Sequence, residues 1–158
     1  MEERLIRVGI THGDINGIGY EVILKTFSDI RIADLCTPII YGSSKIAAYH
    51  RKVLEMQPVN ISVINQAEEA GPNRINIINC ADEESKVELG KSTEVAGEAA
   101  FKALESACND LKRGVIDVLV TAPINKHNIQ NDQFHFPGHT EYLEEVFGVS
   151  GKKALMIL

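Results

Sequence analysis

The chain predicts an α/β fold, a mostly parallel sheet flanked by helices, because short β-rich runs alternate with helical patterns along its whole length. A second observation agrees: the unit of strand, glycine- or serine-containing turn and helix occurs more than once. A third is scale, since 158 residues, 44% hydrophobic and 24% charged, suffice for one substantial core. No interior linker, internal repeat or low-complexity stretch divides the chain, so residues 1–158 read as a single α/β domain.

Each element has its own warrant. Leu5 to Thr11 reads as a buried strand, followed by a glycine-rich turn and a helix from Tyr20 to Phe27 with Val22, Ile23 and Phe27 available to one face. Thr37 to Tyr41 is a second strand, and Gly42-Ser43-Ser44 supplies a serine cap for a helix running to about Met56. Val59 to Ile64 and Ile75 to Asn79 are further strands, and Ala81 to Gly90 is an exposed loop rich in acidic residues. The longest helix spans Thr93 to Arg113, where Ala96, Ala99, Ala100, Ala103, Leu104, Ala107 and Leu111 recur at helical spacing. Its small side chains suit a helix lying close on a sheet. Gly114 ends it; Val115 to Thr121 is a hydrophobic strand interrupted by Asp117, and Pro123 stops pairing where a functional loop would start. Lys152 to Leu158 reads as a basic turn entering a buried strand, an ending expected of a truncated chain or of one completed by a partner.

Charge and composition exclude some functions. A net charge of −6 and a pI near 5.4 argue against nucleic-acid binding, which needs a basic face to displace counterions. There is no run of about 18 apolar residues and no apolar leader, so neither membrane insertion nor secretion is expected, and a reducing cytoplasm fits. Cys36, Cys80 and Cys108 are odd in number and widely spaced, which reads as reduced, mostly buried thiols. His127 and His135 are expected on the surface; His12 and His50 have no visible metal partner.

Three segments carry chemistry. In Phe136-Pro137-Gly138-His139-Thr140-Glu141 a glycine precedes an apparent helix start. First-turn N–H groups lack internal partners and sit at the positive end of the helix dipole, so Gly138 admits an anion while His139 and Thr140 add directed hydrogen bonds. A structural alternative is that Thr140 caps the helix. In Val120-Thr121-Ala122-Pro123-Ile124-Asn125-Lys126 an amide and an ammonium follow the carboxyl end of a strand, the side on which open α/β sheets collect ligands. Asn125 and Lys126 are therefore possible cleft residues, Lys126 as a charge for a phosphate and Asn125 as support for its loop. In Thr11-His12-Gly13-Asp14-Ile15-Asn16-Gly17-Ile18-Gly19 the glycine spacing fits neither the dinucleotide G-x-G-x-x-G nor the P-loop, which would need a lysine where Tyr20 stands. Asp14 is a possible cleft carboxylate or a turn residue.

In order and spacing, these three segments resemble the 4-hydroxythreonine-4-phosphate dehydrogenases of pyridoxal phosphate biosynthesis. The resemblance runs from about Ile6 to Leu158 and covers roughly the first half of a family member. It implies a fold similar to isocitrate and isopropylmalate dehydrogenases, with NAD held between two α/β domains in a homodimer. It also implies NAD-dependent oxidation of the substrate's secondary alcohol followed by decarboxylation. A divalent metal on three histidines, all beyond the region matching Leu158, would polarise the alcohol oxygen. His139 and Thr140 correspond to substrate-binding positions; no catalytic residue and no metal ligand is expected within the chain, and the 158 residues alone are expected to be inactive. His12 and Tyr20 depart from the family's usual loop. Two other readings stay open: a dehydrogenase of a related four-carbon sugar-acid phosphate, such as threonate or erythronate 4-phosphate, and a non-catalytic α/β module that binds small phosphates or pairs with a partner chain.

Overall fold

A computed structural model describes residues 5–149 and 152–157. Five strands, β1 (Arg7–Thr11), β2 (Thr37–Gly42), β3 (Ile61–Ile64), β4 (Ile75–Asn79) and β5 (Val118–Thr121), form one sheet in the order β3-β4-β2-β1-β5. Every pairing is parallel. The helices are α1 (Gly19–Phe27), α2 (Ser44–Val53), α3 (Glu94–Lys112) and α4 (His139–Phe147). No helix among the described residues is long and apolar enough to cross a membrane.

Side chains alternate across a strand, and here both faces are covered. Ile10, Ile40 and Ile77 pack with Ile23 and Phe27 of α1 and Ile46 of α2. Ile39, Tyr41 and Ile78 pack on the opposite side with Ala103 and Ala107 of α3. A second face of α3, formed by Phe101, Leu104 and Cys108, meets Ile129, Phe134 and Tyr142 of α4. So α3 lies between the sheet and an outer layer, and its alanines let it approach the sheet closely.

Side-chain caps set the starts of two helices: Ser43 accepts from the N–H of Ile46, and Thr93 from that of Ala96. Between β1 and β5 the ladder begins at Asp117, whose carboxylate accepts from the N–H of Arg7 at 2.8 Å. Buried polar groups are joined across layers as well. The Tyr41 hydroxyl donates to Asp110 at 2.7 Å, and Arg113 closes on the other oxygen of that carboxylate at 2.9 Å.

Four expected boundaries shift, the first being β1, which begins at Arg7 rather than Leu5. α2 ends at Val53 rather than near Met56, because the chain turns through Glu55 at φ 52°. β3 begins at Ile61 and β5 at Val118, each later than its apolar run, since pairing rather than hydrophobicity sets a strand's length. Short 3-10 turns at Ile30–Asp34 and Ala67–Glu69 have no strong periodic signal. The expected strand over Lys152 to Leu158 is corrected: residues 152–157 are exposed and have no regular structure, and Leu158 lies outside the described residues. The Ala154 N–H goes to the Glu144 carboxylate at 3.0 Å, and none of the described strands pairs with this segment. Hydrophobic residues alone do not make a strand without a ladder to join.

Gly97 shows how tightly α3 is held. A Cβ built there would lie 1.7 Å from the Asn128 carbonyl oxygen. In an exposed helix, glycine to alanine gains about 1 kcal/mol. Here Gly97→Ala is expected to reverse that sign and destabilise the protein by about 1–3 kcal/mol, read as a lower urea midpoint with an unchanged m-value.

Candidate functional site

The loops that follow β1 and β5 meet at the carboxyl ends of these neighbouring parallel strands. Gly13 adopts φ +70°, and a Cβ there would lie 2.3 Å from the Pro123 carbonyl oxygen, so the turn requires glycine on both counts. That approach lets the Asp14 N–H donate to the Pro123 carbonyl at 2.9 Å. Asp14 joins the site through its backbone: its carboxylate accepts from the Asn16 N–H at 2.8 Å, an Asx turn.

After Pro123, the side-chain oxygen of Asn125 accepts from the N–H groups of His127 and Asn128 at 2.9 and 3.3 Å. This turn directs Lys126 toward the start of α4. A Cβ placed on Gly138 would lie 3.7 Å from Lys126 Cε and 3.9 Å from its Nζ. Gln130 ties the two segments together by donating to the carbonyls of Lys126 and Phe136 at 3.1 and 2.9 Å.

Gly138 is the N-cap of α4, in extended conformation and with no side-chain cap, so His139 and Thr140 occupy the first turn and Thr140 is not the cap. His139 is half-buried, and its Nε2 is covered without a hydrogen-bond partner. Burial, with the Lys126 charge adding to it, lowers the His139 pKa and favours neutral imidazole. Lys126 thus lies beside the uncapped first turn of α4, close enough to the His139 ring for its charge to be felt there, an arrangement suited to an anion at the helix start. Thr140 is exposed and borders a different groove, of about 640 Å³, with Leu119, Leu143 and Phe147; neither Lys126 nor His139 lines it, so Thr140 is not brought together with them. His127 and His135 are on the surface.

Beneath the β1 loop lies a feature without a sequence pattern. His12, fully buried, stacks on Tyr20 with ring centroids 5.3 Å apart and planes 9° apart. Tyr20 stacks in turn on His50 at 5.2 Å. The Tyr20 hydroxyl accepts from the Ser43 N–H at 2.8 Å and donates to the Ser43 carbonyl at 3.1 Å. His12 and Tyr20 are eight positions apart in the sequence, a spacing that carries no motif, and only the fold shows that their rings are in contact.

Two kinds of site are not seen among the described residues. No group of three His, Cys, Asp or Glu side chains able to hold a metal occurs among them. The β1 turn is not a dinucleotide cradle either. Its Asn16 and Gly17 N–H groups are taken by Asp14, and the Asn16 side chain is committed to Lys91 and Thr93.

Fold and site together define an α/β protein with a parallel sheet whose chemistry-bearing loops meet at the carboxyl ends of neighbouring strands. The match to known proteins is specific. The family model described as pyridoxal phosphate biosynthetic protein PdxA matches residues 34–158, and the chain belongs to that family. It is 62% identical over 158 residues to a 4-hydroxythreonine-4-phosphate dehydrogenase of Bacteroides thetaiotaomicron, covering all of this chain and 43% of the relative. A Clostridium botulinum protein named for D-threonate 4-phosphate dehydrogenase is 29% identical over 143 residues, 88% of this chain and 42% of that protein. The crystal structure of a 4-hydroxythreonine-4-phosphate dehydrogenase from Burkholderia phymatum superposes with a TM-score of 0.81 at 29% identity, covering 94% of this chain and 45% of that one. The chain thus spans less than half the length of the relatives it matches.

Burial gives His12 a measurable consequence. Neither ring nitrogen makes a hydrogen bond of ordinary geometry, and desolvation, only partly opposed by weak polar contacts with the backbone at Ala99 and Gly13, brings its pKa down to about 4. Between the ordinary value of 6.5 and about 4 the unfolded chain binds the proton and the folded protein does not, so stability is full above 6.5 and falls with acidification through that window. The expected loss is about 3 kcal/mol, seen as a urea midpoint that drops more between pH 7 and pH 4 in the wild type than in His12→Phe.

Proposed function

We propose that this chain is the amino-terminal part of an NAD- and divalent-metal-dependent dehydrogenase that oxidises 4-hydroxythreonine 4-phosphate in the biosynthesis of pyridoxal 5′-phosphate. The complete enzyme is read as a cytoplasmic homodimer. Family membership and 62% identity to a relative of that name support the reading. The observation that carries it is the convergence of Lys126 and His139 on the uncapped first turn of α4. In this reading the described residues contribute binding and orientation of the substrate.

In this reading Lys126 supplies a compact positive charge for the phosphate, reinforced by the first-turn N–H groups of α4. His139, kept neutral, has one ring nitrogen to donate and one to accept, and so directs a polar group of the substrate without carrying charge. Thr140 offers an exposed hydroxyl one residue further along the first turn of α4. These contacts fix the substrate's orientation, which is where a binding domain contributes to rate.

The Clostridium relative favours a second reading, D-threonate 4-phosphate as substrate, with a hydroxyl where hydroxythreonine phosphate has an amino group. Both compounds present a phosphate and an alcohol, so Lys126 and His139 serve either. Steady-state NADH production by the complete enzyme on each substrate decides between them, and faster turnover of 4-hydroxythreonine 4-phosphate is expected. His139→Ala should raise KM for the phosphorylated substrate about tenfold, the effect of losing one well-placed hydrogen bond in a covered site. No turnover of either compound, with phosphate binding indifferent to His139→Ala, would support a non-catalytic module instead.

A further inference from the structure

The loop from Gly13 to Gly19 is held from several sides, and one of its tethers comes from a buried imidazole outside the crevice. His50 lies on α2 and is 3% exposed, and its Nε2 is 2.8 Å from the Ile15 carbonyl oxygen. A carbonyl only accepts, so Nε2 carries the hydrogen and donates. Its ring stacks on Tyr20 at 5.2 Å and meets Tyr49 edge-on at 5.7 Å, which fixes the orientation of that donor. Ile15 is itself fully buried and adjoins Asp14, whose N–H bonds the Pro123 carbonyl at 2.9 Å. Pro123 opens the turn that presents Lys126 beside Gly138.

We propose that His50 is a positioning residue for the crevice: its N–H, donated to Ile15, holds the β1 loop so that the Asp14–Pro123 bond, and through it the Lys126 turn, keeps its place. The opposite side of the loop is held independently. The Asn16 side chain donates to the Lys91 carbonyl and the Thr93 hydroxyl and accepts from the Glu88 N–H at 2.7 Å. Loss of the His50 donor therefore loosens one side of the loop without detaching it.

Two substitutions in the complete enzyme separate the donor from the ring. His50→Phe keeps an aromatic ring to stack on Tyr20 and removes the N–H, whereas His50→Gln removes the ring and keeps an amide N–H of similar reach. Two readouts follow: amide hydrogen exchange of Asp14, and the separate KM and kcat for 4-hydroxythreonine 4-phosphate. The KM readout rests on the function proposed above; the exchange readout does not. Expected for His50→Phe are Asp14 exchange faster by about tenfold and KM higher by about tenfold with a smaller change in kcat, while His50→Gln restores both toward wild type. If His50→Phe does not fold, His50→Asn, whose amide is one methylene short of Ile15, replaces it against His50→Gln. Wild-type exchange at Asp14 in the donor-less variant, or equal behaviour of the donor-less and Gln variants, overturns the proposal. A wild-type enzyme that leaves 4-hydroxythreonine 4-phosphate untouched refutes the function alone, and the exchange comparison still judges His50.

Discussion

The hydrogen bond from the Asp14 N–H to the Pro123 carbonyl joins two loops that would otherwise diverge from neighbouring strand ends. Parallel strands deliver their loops to the same edge of the sheet, but they do not by themselves bring those loops into contact. Contact here depends on a left-handed glycine at position 13 and on a proline carbonyl with no helix or ladder of its own to serve. Once that bond is made, the turn built on Asn125 carries Lys126 to the start of α4, where His139 waits with a covered, unpartnered nitrogen. The geometry of this crevice thus rests on backbone contacts more than on pairs of charged side chains.

Close packing and polar burial oppose one another in this domain. The small face of α3 and the doubly covered sheet make a core in which Ile39, Ile40, Ile75 and Ile77 are almost fully out of water. Into the same interior the β1 loop places His12, with both ring nitrogens unpartnered, and Thr11, whose hydroxyl is likewise unpartnered. Unsatisfied buried polar atoms cost stability. Stacking on Tyr20 offsets part of that cost and gives the loop a rigid floor. By contrast, the Tyr41, Asp110 and Arg113 network beneath α3 is satisfied, and it reads as structure alone.

Strongly patterned segments were legible from residues alone. α3 was legible to within a residue at each end, because nineteen residues of regular spacing between Thr93 and Gly114 leave little freedom. β4 was read at its observed bounds, since turn residues flank it closely. The apolar run after Lys152 misled, for it has the composition of a strand without a described partner to pair with. Of the crevice residues, Lys126 and His139 were legible as candidates because each follows a recognisable turn. Asp14 was visible only as an ambiguous carboxylate, and its contribution proved to be its N–H.

Sequence by itself determined the class of fold, the order of its elements and the turns that bear chemistry, because periodicity, caps and glycines act over a few neighbouring residues. Only the tertiary structure decided that β1 lies between β2 and β5, and with it which loops share an edge. It alone placed His50 against Ile15, 35 positions away, and Lys126 against Gly138. Such pairings are set by how layers pack in space, and a linear pattern carries no record of the distance between residues that meet only after the sheet has formed.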